Sequence, residues 1–495
     1  MIMRHFFIFL LFGITLSILF SSGQIENPDT HLRLTQTRII LNHNKFGLDK
    51  DVGENSHGNI AINDDGKRYM VYNPGQTIMF IPIYYIANLI YATEADAYYF
   101  SAFCASFLNY IIHALCAFIL FKIALILGSN KKQAYLVSIF FGLTSYSFVF
   151  AQSTYEHHLE MLFILLSAFF SLNKNCKNSG FLSGLMLSLG IIFRTTVILA
   201  LPSILLVQKN NKERLCVLLG LFFGIAFILS YNFFRFENAI ESGYTIAWTL
   251  AHSNKFDFWN IPGIPYAFFG FLFSPGKGLF FFSTTAVISF LGVKKFYMKD
   301  RRLLFFILLL SATYLIFFSA NFAWHGSIWS YGPRYILPII PFLYLPIIHI
   351  KVKKWVYLIL TITFILQIEL ISVNYKRDVL SDFITYNGLS DIDYIYSLNK
   401  EPHIIQAKQL KIILPKNLNK LNDYTPNTPW KKEARTASNI EVLNSSIEKN
   451  SINFWWVRVF HFNTTFVFRF FTIILLLIGL IFTFILFKYV KREFT

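Results

Sequence analysis

Charged side chains are scarce in this chain. Of its 495 residues only 14% are Asp, Glu, Lys or Arg, whereas 55% are hydrophobic, and Phe (57) and Tyr (26) are unusually common. A soluble protein of this length does not need so much apolar surface. The apolar residues also form blocks long enough to cross a bilayer, which takes about 20 helical residues. The sequence therefore predicts an all-α polytopic membrane protein.

Cysteine is also rare. None of the four cysteines falls in a long polar loop, because all lie in predicted spans or short loops: Cys104, Cys116, Cys176 and Cys216. This distribution argues against a disulfide framework and against a metal site with regular cysteine spacing. The chain also has no internal repeat and no Gly-rich nucleotide loop. No cofactor is therefore expected, although a divalent metal stays open.

Acidic residues are fewer than basic ones, with 27 Asp and Glu against 44 Lys and Arg and a net charge of +17. Such an excess could indicate a nucleic-acid partner. However, short basic loops between apolar spans are what the positive-inside rule predicts. The expected partner is therefore the lipid bilayer, and nucleic acid is not expected.

Basic loops give a prediction of the topology, because they mark the cytoplasmic side. They include Arg4, Lys131 and Lys132, and the group from Lys488 to Arg492. An even number of crossings must separate neighbouring basic loops. This parity predicts about twelve transmembrane helices in a multi-pass protein of the inner (plasma) membrane, with both termini cytoplasmic. Besides residues 6–20 and 97–127, single spans are expected near 134–150, 158–173, 215–231, 277–293, 303–319, 335–350, 355–373 and 466–488.

Parity also settles two ambiguous apolar segments. Residues 76–92 would place Lys131 outside if they crossed the membrane, so we predict an interfacial helix along its outer surface. Residues 181–207 must enter and return between two basic loops. Each arm of about 13 residues covers roughly 20 Å, which is short for a hydrocarbon core of about 30 Å. A pair of short helices that turns near Arg194 is the simplest solution.

The chain is then divided by its long polar segments. Residues 1–373 form the membrane module, whose first extracytoplasmic loop covers 21–75. Residues 374–465 form an extracytoplasmic loop or small domain, and 466–495 hold the last helix and a cytoplasmic tail. The first hydrophobic segment could be a cleaved signal peptide, but a retained helix is the better expectation because many spans follow.

The first loop carries two local structure signals and one conspicuous carboxylate. A helix is expected over residues 30–42, and the run 63–66 (Asn-Asp-Asp-Gly) predicts a hairpin. Asp29 lies just beyond the first span, where a carboxylate can do chemistry at the membrane surface. The alternative is that Asp29 only caps the helix that follows it.

A second group of polar residues lies between the third and fourth spans, in the run 155–160. Glu156, His157 and His158 there could bind a metal or transfer protons. Adjacent histidines point in different directions on a helix, so chelation by both is not expected. The alternative is a solvated loop with capping residues.

Three cations are expected at the outer membrane surface or within the bundle. Arg194 lies at membrane depth, where an ionisable residue is a functional candidate or a structural one that satisfies turn carbonyls. Lys277 and Arg334 each lie close to a glycine in the chain, at the outward-facing start of a predicted span. The N-terminus of a helix favours an anion. The alternative for both is an anchor to lipid headgroups.

These motifs resemble those of membrane glycosyltransferases of the GT-C superfamily, such as the dolichyl-phosphate-mannose protein mannosyltransferases and the lipid A aminoarabinose transferases. The similar segments are Pro28-Asp29, the run 72–75 (Tyr-Asn-Pro-Gly), Gly184…Gly190…Arg194, and the runs 274–278 and 331–335. The resemblance implies a GT-C-like bundle. It also implies inverting sugar transfer from a polyprenyl-phosphate donor to a lipid, glycan or protein acceptor on the extracytoplasmic side.

The family pattern assigns the general base to Asp29, with two departures in this chain. Thr30 follows where many relatives have a second acid, so Glu156 is expected to take that place as a second catalytic residue. Tyr72 and Asn73 replace the usual cation before the turn, so the donor phosphate is expected to bind Arg194, Lys277 and Arg334, with Lys67 and Arg68 as alternatives. Further substrate contacts are expected from His31, Arg33, Tyr72, His157, His158, Trp324 and Tyr331.

Two functions of other classes remain open from the sequence. A transporter or flippase of lipid-linked saccharides would place its charges mid-span and show two related halves, whereas the charges here lie mainly in outer loops. An inactive scaffold of a glycan assembly complex would tolerate the loss of Asp29 and Arg334 together.

Overall fold

The computed structural model describes residues 2–50, 52, 59–173, 175–251, 259–326, 332–351, 353–374, 395–398, 401–419, 452–461 and 466–494. The first half contains helices α1 (Ile2–Phe20), α2 (Pro28–His43), α3 (Gly75–Ile90), α4 (Glu94–Ala105), α5 (Leu108–Ile126), α6 (Lys131–Thr144), α7 (Tyr146–Phe150), α8 (His157–Leu172), α9 (Ser179–Phe193), α10 (Leu201–Val207) and α11 (Asn211–Phe236). The second half contains α12 (Tyr244–Ala251), α13 (Ile264–Phe273), α14 (Leu279–Phe282), α15 (Phe290–Lys299), α16 (Arg301–Ser319), α17 (Ile340–Leu343), α18 (Lys354–Ser372), α19 (Pro402–Asn419), α20 (Trp455–His461) and α21 (Phe466–Phe494).

Six helical stretches of the described residues are long and apolar enough to cross a membrane: Met3–Phe20, Glu94–Ile126, Asn211–Phe236, Arg301–Ser319, Lys354–Ser372 and Arg469–Glu493. Shorter apolar helices, including α3, α8 and α9, pack beside them. The prediction of an all-α polytopic membrane protein is therefore confirmed. The count of about twelve spans, the division into domains and the orientation of the termini stay predictions.

The span expected over 134–150 is divided at Ser145 into α6 and α7, and two further expected spans are each broken into three short pieces. The stretch expected over 335–350 runs as 3-10 helix Arg334–Ile339, α17 and 3-10 helix Leu345–His349. Prolines at positions 338, 341 and 346 explain this, because a proline removes a backbone donor and clashes with the preceding turn. The stretch expected over 277–293 is likewise divided into α14, the 3-10 helix Thr284–Ser289 and α15.

The first loop has the structure that its local signals predict. Strands β1 (Ile60–Ile62) and β2 (Arg68–Met70) pair antiparallel around a turn in which Gly66 has a φ of 75°. The expected helix is present as α2, but the residue that caps it is Asn27, whose side chain accepts a 2.8 Å hydrogen bond from the Thr30 amide. The alternative that Asp29 is the N-cap is therefore wrong. The Asp29 side chain is left available for another role.

Helix α3 has the two faces expected of an interfacial helix. It buries Phe80, Tyr84 and Ala87 against α2 and α4, and it exposes Leu89 and Ile90. Apolar side chains on the outer face of a helix that is polar at its start suit contact with lipid. Its position relative to the bilayer stays a prediction.

The expected turn near Arg194 is also present. Helix α9 ends at Phe193, and a 3-10 helix, Thr195–Ala200, begins directly after Arg194. Helix α9 is held against α11 by glycines. An added Cβ at Gly184 would lie 2.0 Å from the Val217 carbonyl oxygen, and one at Gly224 would lie 2.5 Å from the Ser188 Cα. Such close backbone approach is typical of helix pairs in membranes.

Replacing Gly184 with Ala should therefore destabilise the protein, because rigid backbone atoms meet the new methyl group. Overpacking of this kind costs about 1–3 kcal/mol. Thermal unfolding in detergent measures the effect. Gly142→Ala is the matched control, since the nearest atom to an added Cβ there is a side-chain ring carbon of Phe12 at 3.3 Å. Equal unfolding temperatures for the two variants would contradict the close helix contact.

Candidate active site

The start of α2 is fastened to the segment that precedes α8. Asn27 donates to the Thr154 hydroxyl at 2.9 Å, and the Thr30 hydroxyl donates to the Thr154 carbonyl at 3.0 Å. The Gln76 side chain, in the first turn of α3, donates to the same carbonyl at 2.7 Å. Asp29 and Glu156 are thereby brought to one place, although they are far apart in the chain.

Asp29 is set deep in the protein but is still partly accessible to solvent. Burial raises the pKa of its carboxyl group, and neither the nearby charges of Arg33 and Arg334 nor a hydrogen bond from the Tyr72 hydroxyl cancels that effect. Among the residues that the structure describes, Asp29 forms no ion pair. A recessed carboxylate with a raised pKa binds protons more strongly than an ordinary Asp, as a general base should.

Glu156 has the opposite environment. One carboxylate oxygen lies 2.9 Å from Nη1 of Arg33, and the other lies 2.8 Å from Nη1 of Arg194. Burial alone would raise the pKa of Glu156, but the two guanidinium groups lower it below its ordinary value. Glu156 therefore stays ionised and holds two cations, which makes it a poor acceptor for a proton.

Replacing Glu156 with Gln should destabilise the folded protein by about 3–5 kcal/mol, since the buried Arg33 loses its ion-pair partner and Arg194 keeps only Glu160. Thermal unfolding in detergent measures the loss. Glu94→Gln is the control, because Glu94 is 46% exposed and lies 3.7 Å from Arg38, and exposed pairs contribute about 0–1 kcal/mol. A Glu156 variant as stable as the Glu94 variant would show that the ion pairs do not hold the site together.

Arg334 is stacked between two tyrosines. Its Cζ lies 4.8 Å from the centre of the Tyr155 ring and 4.9 Å from that of Tyr335, and Nη2 donates to the Tyr335 hydroxyl at 3.2 Å. Its Nε and Nη1 are buried and have no hydrogen-bond partner in the described part of the chain, and the same is true of Nε of Arg33. Buried donors are normally satisfied, so these nitrogens are suited to an anionic ligand.

Lys277 lies close to the same region. It is buried, and His325 stands within electrostatic reach of both Lys277 and Arg334. Burial and these two cations lower the pKa of His325 to about 3, so the imidazole is neutral. Lys277 and Arg334 therefore both lie near His325, and the charge of Arg334 also acts on Asp29. Arg194 and Arg334 contact the same ring of Tyr335.

The other expected substrate contacts are divided between this cluster and its surroundings. Arg33 and Tyr72 lie within it, with the Arg33 Cζ 4.1 Å from the Tyr72 ring centre. At its edge, His157 packs 5.7 Å from the ring of Tyr155, and Trp324 packs 5.2 Å from that of Phe271.

Two histidines lie apart from the cluster, and one tyrosine cannot be placed. His31 contacts the Tyr98 hydroxyl at 2.9 Å and the Ile25 carbonyl at 3.1 Å. His158 is buried against the Ser147 carbonyl at 3.0 Å. Tyr331 lies outside the described residues.

Three residues of the cluster were not among the sequence candidates: Glu160, Thr196 and Tyr314. Glu160 lies 3.0 Å from Nε of Arg194 and accepts hydrogen bonds from the other two. Its spacing of four residues from Glu156 could have indicated a shared helix face. Nothing in the sequence pointed to Tyr314. Within the described residues no three His, Cys, Asp or Glu side chains are grouped as metal ligands.

Comparisons with known proteins add one structural likeness. No family model matches the chain, and no curated protein matches it. A crystal structure of ArnT from Cupriavidus metallidurans in the apo state is similar over 95% of this chain and 74% of that chain, with 14% sequence identity and a TM-score of 0.42.

Proposed function

We propose that this protein is a membrane glycosyltransferase of the GT-C type. It moves a sugar from a polyprenyl-phosphate donor to an extracytoplasmic acceptor with inversion. The observation that carries the proposal is the position of Asp29, a recessed carboxylate with a raised pKa, near Arg33 and Arg334. Both arginines have buried guanidinium nitrogens without a hydrogen-bond partner among the described residues. A base and an anion site side by side suit the attack of a hydroxyl group and the departure of a phosphate.

The reaction then requires one displacement. Asp29 accepts the proton of the acceptor hydroxyl as its oxygen forms a bond to the anomeric carbon. The bond between that carbon and the donor phosphate oxygen breaks on the opposite face, and the electron pair leaves with the phosphate. Arg334, Lys277 and Arg33 stabilise the charge that develops there. The configuration of the sugar is inverted because attack and departure take place on opposite faces.

In this mechanism Glu156 does not act as a second base. Its two ion pairs hold Arg33 and Arg194 in place. Glu156 therefore has a positioning role, rather than the role of the second catalytic acid that many relatives carry next to their base. The site then uses a single proton acceptor.

The pH dependence of transfer tests the base. Asp29 must be ionised, and its pKa is raised above the ordinary value of 3.8, so kcat/KM should fall as the pH drops through that raised pKa rather than through the ordinary one. A pH profile of the purified protein measures the acid limb, with Asp64→Asn as a control that keeps the profile. An acid limb at the ordinary value would argue against Asp29 as the base.

The function itself is tested in two steps. Mass spectrometry of glycolipids and envelope glycans, from cells with and without the protein, identifies the missing sugar and its acceptor. The purified protein is then given the corresponding polyprenyl-phosphate sugar, and release of polyprenyl phosphate is measured. A transporter would move the donor across a vesicle membrane without breaking the sugar–phosphate bond, and a scaffold would do neither. Either result would refute the proposal.

A further inference from the structure

A second buried glutamate lies beside the site, and the proposed reaction does not use it. Glu160 is fully buried one helical turn after Glu156 on α8. One carboxylate oxygen accepts hydrogen bonds from the hydroxyl groups of Thr196, at 2.6 Å, and Tyr314, at 2.8 Å. The other lies 3.0 Å from Nε of Arg194. Two hydrogen bonds thus hold the first oxygen, and the second makes an ion pair without hydrogen-bond geometry.

Arg194 is held from two sides by this arrangement. Its Nη1 donates to Glu156 at 2.8 Å, and its Nε, besides pairing with Glu160, donates to the Thr196 hydroxyl at 2.9 Å. Among the described residues, Nη2 has no partner. Glu156 therefore holds one nitrogen of the guanidinium group, and Thr196 together with Glu160 holds a second. The third nitrogen is left for a ligand.

Arg194 lies close to Arg334 of the proposed phosphate site. The Tyr335 ring centre lies 5.8 Å from the Arg194 Cζ and 4.9 Å from the Arg334 Cζ. Both guanidinium groups thus contact the same tyrosine ring.

Glu160 does more than balance charge. Glu156 is shared between Arg33 and Arg194, so Glu160 supplies the second counter-charge of this group. The hydroxyl groups of Thr196 and Tyr314 in addition fix the orientation of Glu160, and with it the side of Arg194 that Glu160 contacts.

We propose that Glu160 is a positioning residue. With Thr196 and Tyr314, it holds Arg194 so that the free edge of the guanidinium group faces the phosphate of the lipid donor. This inference rests on the proposed function, because it takes the ligand to be a lipid phosphate. Glu160 itself touches no substrate, and its whole effect passes through Arg194.

The test compares three variants: Glu160→Gln, Arg194→Gln and the double variant. Binding of a polyprenyl monophosphate to the purified full-length protein is measured in detergent, with neutral polyprenol as the control ligand. Each single variant should bind the phosphate at least about tenfold more weakly, as expected for a lost hydrogen bond to a charged group. The double variant should bind no more weakly than Arg194→Gln alone, since the two residues act as one unit. Glu160→Asp, which keeps the charge, should restore part of the binding.

Several outcomes would overturn the inference. Unchanged binding by a folded Glu160→Gln protein would do so, as would a further loss when Glu160→Gln is added to Arg194→Gln. If Glu160→Gln does not fold, Tyr314→Phe and Thr196→Val take its place, because they keep every charge and remove only the hydroxyl groups that hold Glu160. A wild-type protein that binds the lipid phosphate but transfers no sugar would refute the proposed function, and the binding comparison would still decide the role of Glu160. A wild-type protein that binds none would overturn both.

Discussion

Replacing Asp29 with Asn should abolish sugar transfer while leaving a folded protein. General-base catalysis contributes about 10²–10⁴-fold to a rate, and Asn cannot accept the proton. The same change should not lower thermal stability. The folded-state pKa of Asp29 is raised above the ordinary 3.8, so the folded protein disfavours the ionised form at neutral pH, and a neutral amide removes that cost. Initial rates and unfolding temperatures in detergent measure both effects.

Asp64→Asn is the matched control for this experiment. Asp64 lies in the same loop, is exposed in the turn between β1 and β2, and lies outside the cluster of charged residues. It should retain normal transfer and stability. Normal transfer by Asp29→Asn would disprove the mechanism. A large loss of stability in that variant would show that the Asp29 charge supports the fold instead.

Replacing Arg334 with Gln should lower kcat by about 10²–10³-fold, which is the typical cost of removing one donor that stabilises developing negative charge. Its Nε and Nη1 are buried and have no partner among the described residues, so an anion is the natural ligand for them. Arg334→Lys should recover part of the rate, because it keeps the charge but not the planar fork of donors. Steady-state kinetics with varied donor concentration separate kcat from KM.

Arg214→Gln is the control, since Arg214 is exposed near the start of α11 and lies away from the cluster. It should leave both constants unchanged. If Arg334→Gln raised KM alone, Arg334 would bind the donor equally in the ground state and the transition state. No effect on either constant would remove Arg334 from the phosphate site.

Local features of this protein were predictable because their causes are local. The Asn-Asp-Asp-Gly run favours a tight turn whatever surrounds it, and β1 and β2 pair around it as expected. The break at Arg194 followed from the length of the apolar segment between two basic loops, and the structure has it at that residue. The identity of the N-cap was missed because Asn27 and Asp29 are both good caps, and the backbone conformation decides between them.

The candidate site was only partly predictable. Asp29, Glu156, Arg194 and Arg334 were found from their positions near span ends. Their roles could not be read from the sequence, because the role of a carboxylate depends on its partners. A recessed carboxylate without an ion pair is suited to act as a base. One that contacts two guanidinium groups holds those groups in place instead. Glu156 was expected beside Asp29 in catalysis, and its contacts with Arg33 and Arg194 support a positioning role instead.

The sequence by itself determined that this is a helical membrane protein, because exposing so many apolar runs of spanning length to water is unfavourable. It also identified the candidate functional residues, because the few charged side chains near or within apolar segments are costly to bury. Only the tertiary structure decided which of them meet. Hydrogen bonds and ion pairs extend over about 3 Å, whereas Arg33, Glu156, Arg194 and Tyr314 come from four separate segments of the chain. The packing of those segments, rather than any local pattern, places the Asp29 carboxylate near guanidinium nitrogens that have no hydrogen-bond partner in the described part of the chain.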